Sequence, residues 1–102
     1  MSDQVQLPDE PTSTARLVEV WISQAAIDDY FTATDVHRGI QLRRSLSSVK
    51  NILRMLEDVN VIRGSRYARK YHVIAERWNP PHAGLWAGSA NRYVRHGRRF
   101  IG

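Results

Sequence analysis

Ser47, Lys50, Asn51 and Arg54 recur three and four residues apart. That spacing puts them on one side of a helix, opposite Val49, Ile52, Leu53, Leu56 and Val59. An ammonium and a guanidinium on such a face can donate to guanine edges or to phosphate oxygens. A carboxamide can pair with an adenine edge through two hydrogen bonds. Ser47 and Ser48 are small enough at the head of the run to allow close approach. Arg43 and Arg44 lie just upstream, placed for backbone phosphates. Downstream, the loop Gly64 to Arg69 carries Arg66, Tyr67 and Arg69, which suit a minor groove or a phosphate strand. Taken alone, Lys50, Asn51 and Arg54 are also what the solvated face of any amphipathic helix would show. The polar face, the basic turn and the basic loop together point to nucleic acid.

Charge along the chain agrees. Residues 1–35 hold seven acids against Arg16, a balance of −6. Residues 36–77 hold ten Lys and Arg against Glu57, Asp58 and Glu76, a balance of +7. Residues 78–102 add Arg92, Arg95, Arg98 and Arg99 with no acid, so the net charge of +5 hides a strongly positive middle and tail. Segregation of this kind favours a polyanion partner. The plainer alternative is a basic surface kept for solubility.

Other chemistries find little support. With 102 residues and no cysteine, the chain is too short for barrel or doubly wound enzyme scaffolds and has no thiolate for zinc, disulfide or nucleophile. His37, His72, His82 and His96 show no metal-ligand spacing, so no metal and no cofactor is expected. The Asp28-Asp29 pair reads as a solvated helix end. Phosphate-loop and nucleophile-elbow patterns are missing, and no catalytic residue is assigned. No apolar run approaches the roughly 20 residues of a membrane span. Met1-Ser2-Asp3-Gln4 has no signal-peptide pattern, and the expected location is the cytoplasm.

The elements that must hold these side chains can be read from periodicity and caps. Residues 1–13, with Pro8, Pro11 and several acids, read as a flexible acidic arm. Leu17, Val18, Trp21, Ile22, Ala25 and Ala26 predict a first helix from Ser13 or Thr14 to about Asp28–Tyr30, with Trp21 in the core. Phe31-Thr32 suits a short strand. Thr32 and Asp35 have the spacing of a capping box for a short helix from Ala33 to Gly39 or Ile40. After a turn over 41–46, the third helix spans about 47–59 and Asn60 follows as a left-handed stop. Val61 to Arg63 and Lys70 to Ile74 then form a hairpin. Asn79-Pro80-Pro81 breaks the pattern before a basic, aromatic extension over 78–102. There, Trp78 and Trp86 could anchor the tail or join two copies.

Helix, short strand, short helix, turn, longer helix and basic hairpin follow one another over about residues 15–76. In this order the sequence resembles the winged helix-turn-helix superfamily. Phe31 to Val36 looks like the entry to that family's second helix, and Ser47 to Ile62 like its recognition helix running into the first wing strand. Asn60 stands where the family uses glycine, and the turn over 41–46 is about two residues longer. The resemblance implies a mostly α domain (α+β class) over 14–77, with three helices and a two- or three-stranded wing sheet. It implies sequence-specific binding of double-stranded DNA by a small transcription regulator acting as a homodimer, with the helix at 47–59 in the major groove and the 64–69 loop as wing. Two alternatives stay open. One is a winged-helix module that meets an acidic protein partner. The other is a binder of single-stranded nucleic acid or RNA through the arginine-aromatic tail.

Overall fold

The computed structural model describes residues 5–65, 68–80 and 82. Those residues form helices α1 (Thr14–Ala25), α2 (Ala33–Gly39) and α3 (Leu46–Asp58), then strands β1 (Ile62–Gly64) and β2 (Tyr71–Val73). The architecture is α+β and mostly helical. The two strands pair antiparallel, with Ile62 opposite Val73 and Gly64 opposite Tyr71. Phe31 adds a single bridge on the far side of β2, exchanging two backbone hydrogen bonds with Tyr71 at 2.9 and 2.7 Å.

Each helix start has a side-chain cap. The Ser13 hydroxyl accepts from the Arg16 N–H at 3.0 Å and starts α1. At α2, Thr32 and Asp35 complete the capping box, each side chain accepting from the other's backbone N–H. Ser45 caps α3 by accepting from the Ser48 N–H. Such caps satisfy backbone donors that a helix cannot pair internally, each contributing about 1 kcal/mol. Past α3, Asn60 takes φ 70°, the left-handed geometry that a short polar side chain tolerates. The helix α1 stops at Ala25, short of the expected end near Asp28–Tyr30. Ala26 leaves helical geometry at φ −138° and turns its methyl into the core, at 2% exposure.

Leu17, Val18 and Ile22 of α1, Val36 of α2 and Val49, Leu53 and Leu56 of α3 meet in one core, each fully buried. Phe31, Val61, Ile62 and Val73 close it from the hairpin side, and Ile40 joins it at the end of α2. Trp21 is only partly buried and sets its ring edge against Phe31, with centroids 6.2 Å apart. Gly39 lets α2 approach that ring, because a Cβ there would stand 2.0 Å from Trp21 Nε1.

The acidic arm is laid on the domain over residues 5–13. Leu7 packs on the core, the Gln6 backbone exchanges two hydrogen bonds with the Gln24 carboxamide, and Glu10 meets Arg43 and Arg44. At the other end, Trp78 packs on the core and donates from Nε1 to Ser23 Oγ at 2.9 Å. Trp86 and the basic tail lie outside the described residues. No helix among the described residues is long and apolar enough to cross a membrane.

Candidate nucleic-acid interface

The buried stripe of α3 turns Lys50, Asn51 and Arg54 outward, where all three are exposed. Arg54 reaches back to the Asn51 carboxamide at 3.5 Å, too long for a strong bond but enough to lay the two side chains side by side. Across from them stands the hairpin. Between α3, the hairpin and the start of α2 lies a groove of about 680 Å³. Lys50 and Arg54 form one wall, Ser65, Arg69 and Lys70 the facing one, and Thr32 to Thr34 close the end. Among the described lining residues four are cationic and only Glu57 is acidic.

Glu57 has a structural task. Its Oε2 accepts the Gly64 backbone N–H at 3.2 Å, tying the last turn of α3 to β1. Gly64 permits this approach, since a Cβ would stand 2.9 Å from that oxygen and 3.2 Å from the Tyr71 ring. Tyr71 lies half-buried in the groove and stacks on Phe31 with centroids 5.9 Å apart. Burial pushes its phenol above the usual 10.0; the Glu57 charge adds to the rise and Arg54 opposes it. The phenol is therefore a neutral donor at physiological pH.

The hairpin loop is locally braced. Ser65 N–H donates to Lys70 O at 2.7 Å, and the Ala68 and Arg69 N–H groups return to Ser65. Arg69 holds φ 56°, a left-handed conformation that costs a side-chain-bearing residue about 1–2 kcal/mol. That strained backbone carries the cation into the groove wall. The turn between α2 and α3 is strained in the same way, with Gln41 at φ 63° and Leu42 at φ 57°.

The ten residues singled out from sequence divide into groups. Lys50, Arg54 and Arg69 come together on the groove. Asn51 lies beside Arg54 on the exposed face of α3. Ser47 is exposed at the head of α3, while the Ser48 hydroxyl accepts from Ser45 Oγ at 3.0 Å and belongs to the cap. Arg66 and Tyr67 lie outside the described residues. Arg43 and Arg44 do not join the groove; both turn to the arm. The Arg44 guanidinium commits all five donor positions to Glu10 (twice), Thr12 O, Arg43 O and Thr14 Oγ1. Arg43 donates to Pro8 O through both terminal nitrogens at 2.9 Å. The bond from Arg44 holds the Glu10 carboxyl below its usual 4.5, and the same bond raises Arg44.

Lys70, Glu57 and Tyr71 are groove residues that sequence reasoning missed. The basic run Arg69-Lys70 was a visible signal for the first, but Glu57 and Tyr71 become neighbours only through the hairpin register. A second polar site also went unseen. Glu19 of α1 is fully buried and its Oε2 accepts both the His82 backbone N–H at 2.8 Å and the ring Nδ1 at 2.9 Å. Glu19 Oε1 has no hydrogen-bond partner among the described residues. The position of Glu19 on the Ala15–Ile22–Ala26 stripe was the available clue. Among the described residues no group of His, Asp or Glu is arranged to hold a metal ion.

Compared with protein-family models, curated proteins and solved structures, the chain matches none.

Proposed function

We propose that the chain binds double-stranded DNA as a winged helix-turn-helix module, with α3 in the major groove and the hairpin as the wing. The observation that carries this reading is the basic groove between the exposed face of α3 and the hairpin. A phosphate strand leaving the major groove would run through it, gripped by Lys50 and Arg54 from one side and Arg69 and Lys70 from the other. Asn51 and Ser47 are then left facing base edges, where a carboxamide reads adenine and a small residue permits contact. One α3 reads few base pairs, so two copies on two half-sites would supply the specificity of a transcription regulator.

Fluorescence anisotropy with a random duplex and a matched single strand, over a salt series, tests the reading. Four neutralised phosphates predict a log–log slope of about −3.6. Lys50→Ala, Arg54→Ala and Arg69→Gly should each make the slope shallower by about 0.9. Arg69→Gly is the cleanest variant because it removes the cation while relieving the φ 56° backbone. Absence of duplex binding at low salt, or preference for the single strand with slopes indifferent to these variants, refutes the reading. The second outcome moves the interface to the tail, and the first moves the search to an acidic protein.

A further inference from the structure

We infer that Arg43 and Arg44 are a second phosphate-binding station, which the arm's own Glu10 covers in competition with DNA phosphates. The inference rests on the duplex-binding reading above and adds a competitor to it, built into the same chain.

Four observations support it. Glu10 engages Arg44 with both carboxylate oxygens, Oε2 to one terminal nitrogen at 2.9 Å and Oε1 to the other at 3.0 Å. This fork is the one a guanidinium offers to two phosphate oxygens. Arg43 Nε reaches the same carboxylate at 3.4 Å, so one acidic group answers two cations. Second, the pair directly precedes Ser45, the cap of α3, which puts it at the end of that helix opposite Glu57. Third, the Glu10 side chain is 45% exposed, so its carboxylate can turn into water without leaving a buried charge behind. A polyanion can therefore compete for the arginines.

The fourth observation concerns what remains when Glu10 leaves. Arg44 keeps its bonds to Thr12 O, Arg43 O and Thr14 Oγ1, and Arg43 keeps both bonds to Pro8 O. Backbone carbonyls and the Thr14 hydroxyl thus hold both guanidinium groups in place while the carboxylate swings out. The vacated positions are already oriented, so little side-chain entropy is lost when a phosphate takes them. The segregation of acids into the first third of the chain has, on this account, a mechanical role at Glu10.

Glu10→Gln in the full chain tests the inference, because it keeps the length of the side chain and removes the charge. Each further phosphate neutralised adds about 0.9 to the magnitude of the salt slope, so the affinity gain over the natural chain shrinks about 3.5-fold between about 50 and 200 mM salt. Glu10→Gln is expected to neutralise one or two phosphates more than the natural chain. Asp9→Asn removes the same charge from the neighbouring exposed residue and should leave the slope unchanged. Arg44→Ala placed on Glu10→Gln should bring the slope back toward that of the natural chain by at least about 0.9, the share of about one phosphate. If the natural chain binds duplex but Glu10→Gln matches it in slope, or matches Asp9→Asn, the covered station is overturned and the groove reading stands. If neither the natural chain nor Glu10→Gln binds, both fall. Binding that emerges only in Glu10→Gln supports both.

Discussion

Replacing Gly39 with alanine should destabilise the protein, although alanine is the better helix former. The added Cβ would lie 2.0 Å from Trp21 Nε1, 2.3 Å from Cε2 and 2.5 Å from Cδ1. Ordinary contact needs about 3.5 Å, so the indole must retreat by about 1.5 Å. It is a rigid ring met across its five-membered side, and it already stands edge-to-face with Phe31, which is 1% exposed and stacks in turn on Tyr71. Overpacking of this kind costs about 1–3 kcal/mol. The alanine propensity gain, at most about 1 kcal/mol, is smaller at the last helical residue. The net loss is about 1–2 kcal/mol, and in a domain of this size each kcal/mol lowers Tm by about 4–8 °C. Urea denaturation followed by far-ultraviolet circular dichroism gives the free energy directly. Trp21→Leu, which itself costs stability, supplies the control: in that background Gly39→Ala should be neutral or stabilising. The coupling between the two sites should reach at least about 1 kcal/mol. Equal cost in both backgrounds, or a stabilised Gly39→Ala, would show that α2 and α1 do not meet through this ring.

Two further predictions concern Glu19 and Glu10. His82→Ala strips one of the two donors from the buried Glu19 carboxylate and should cost about 2–4 kcal/mol in urea denaturation. Replacing both partners, as Glu19→Leu with His82→Leu, should recover most of it; a single variant within about 0.5 kcal/mol of the natural chain would show that the pair anchors nothing. For Glu10, the folded carboxyl lies below its usual 4.5, so its contribution to stability is present above that pH and fades as pH falls through the lower folded value. The stability difference between the natural chain and Glu10→Gln should therefore shrink on acidification below about 4.5, and a difference that is flat from pH 7 to 3 would contradict the ion pair.

Local signals carried most of the fold. The Val49, Leu53 and Leu56 stripe defined α3, the Thr32 and Asp35 spacing announced a capping box, and Asn60 marked a left-handed stop; all three are what the structure contains. The end of α1 was misjudged because Ala25, Ala26 and Ile27 continue the apolar period through the residue where the backbone leaves it. What sequence order hides is which partners meet across long separations. Glu10 and Arg44 are 34 residues apart, and Glu19 and His82 are 63 apart. Composition shows that acids gather in the first third and bases in the middle. It does not show that two of those bases are already paired with the arm, or that one of those acids lies in the core. The groove was legible through Lys50, Arg54 and Arg69, since helix period and loop position suffice for them. The contribution of β2 was not, since Tyr71 comes beside Glu57 only through strand register.

The two ends of α3 bear differently on a duplex. Arg44 lies just before α3 and Arg54 eight residues past its first residue, Leu46, which at about 1.5 Å per residue places Arg54 roughly 12 Å along the helix from its start. A major groove is about 12 Å wide, so a helix lying across it would bring the two arginines toward opposite phosphate walls. With Glu10 seated, only the wall served by Lys50, Arg54, Arg69 and Lys70 is open, and the natural chain should show a slope near that of four neutralised phosphates. With Glu10 neutralised, the opposite wall opens and the slope should approach that of five or six. A steep slope in the natural chain that Glu10→Gln does not change would overturn the covered station, because Glu10 would then withhold nothing from the duplex. A shallow slope in both would mean that α3 touches one wall only. The size of the change, more than the affinity itself, reports how α3 lies in the groove.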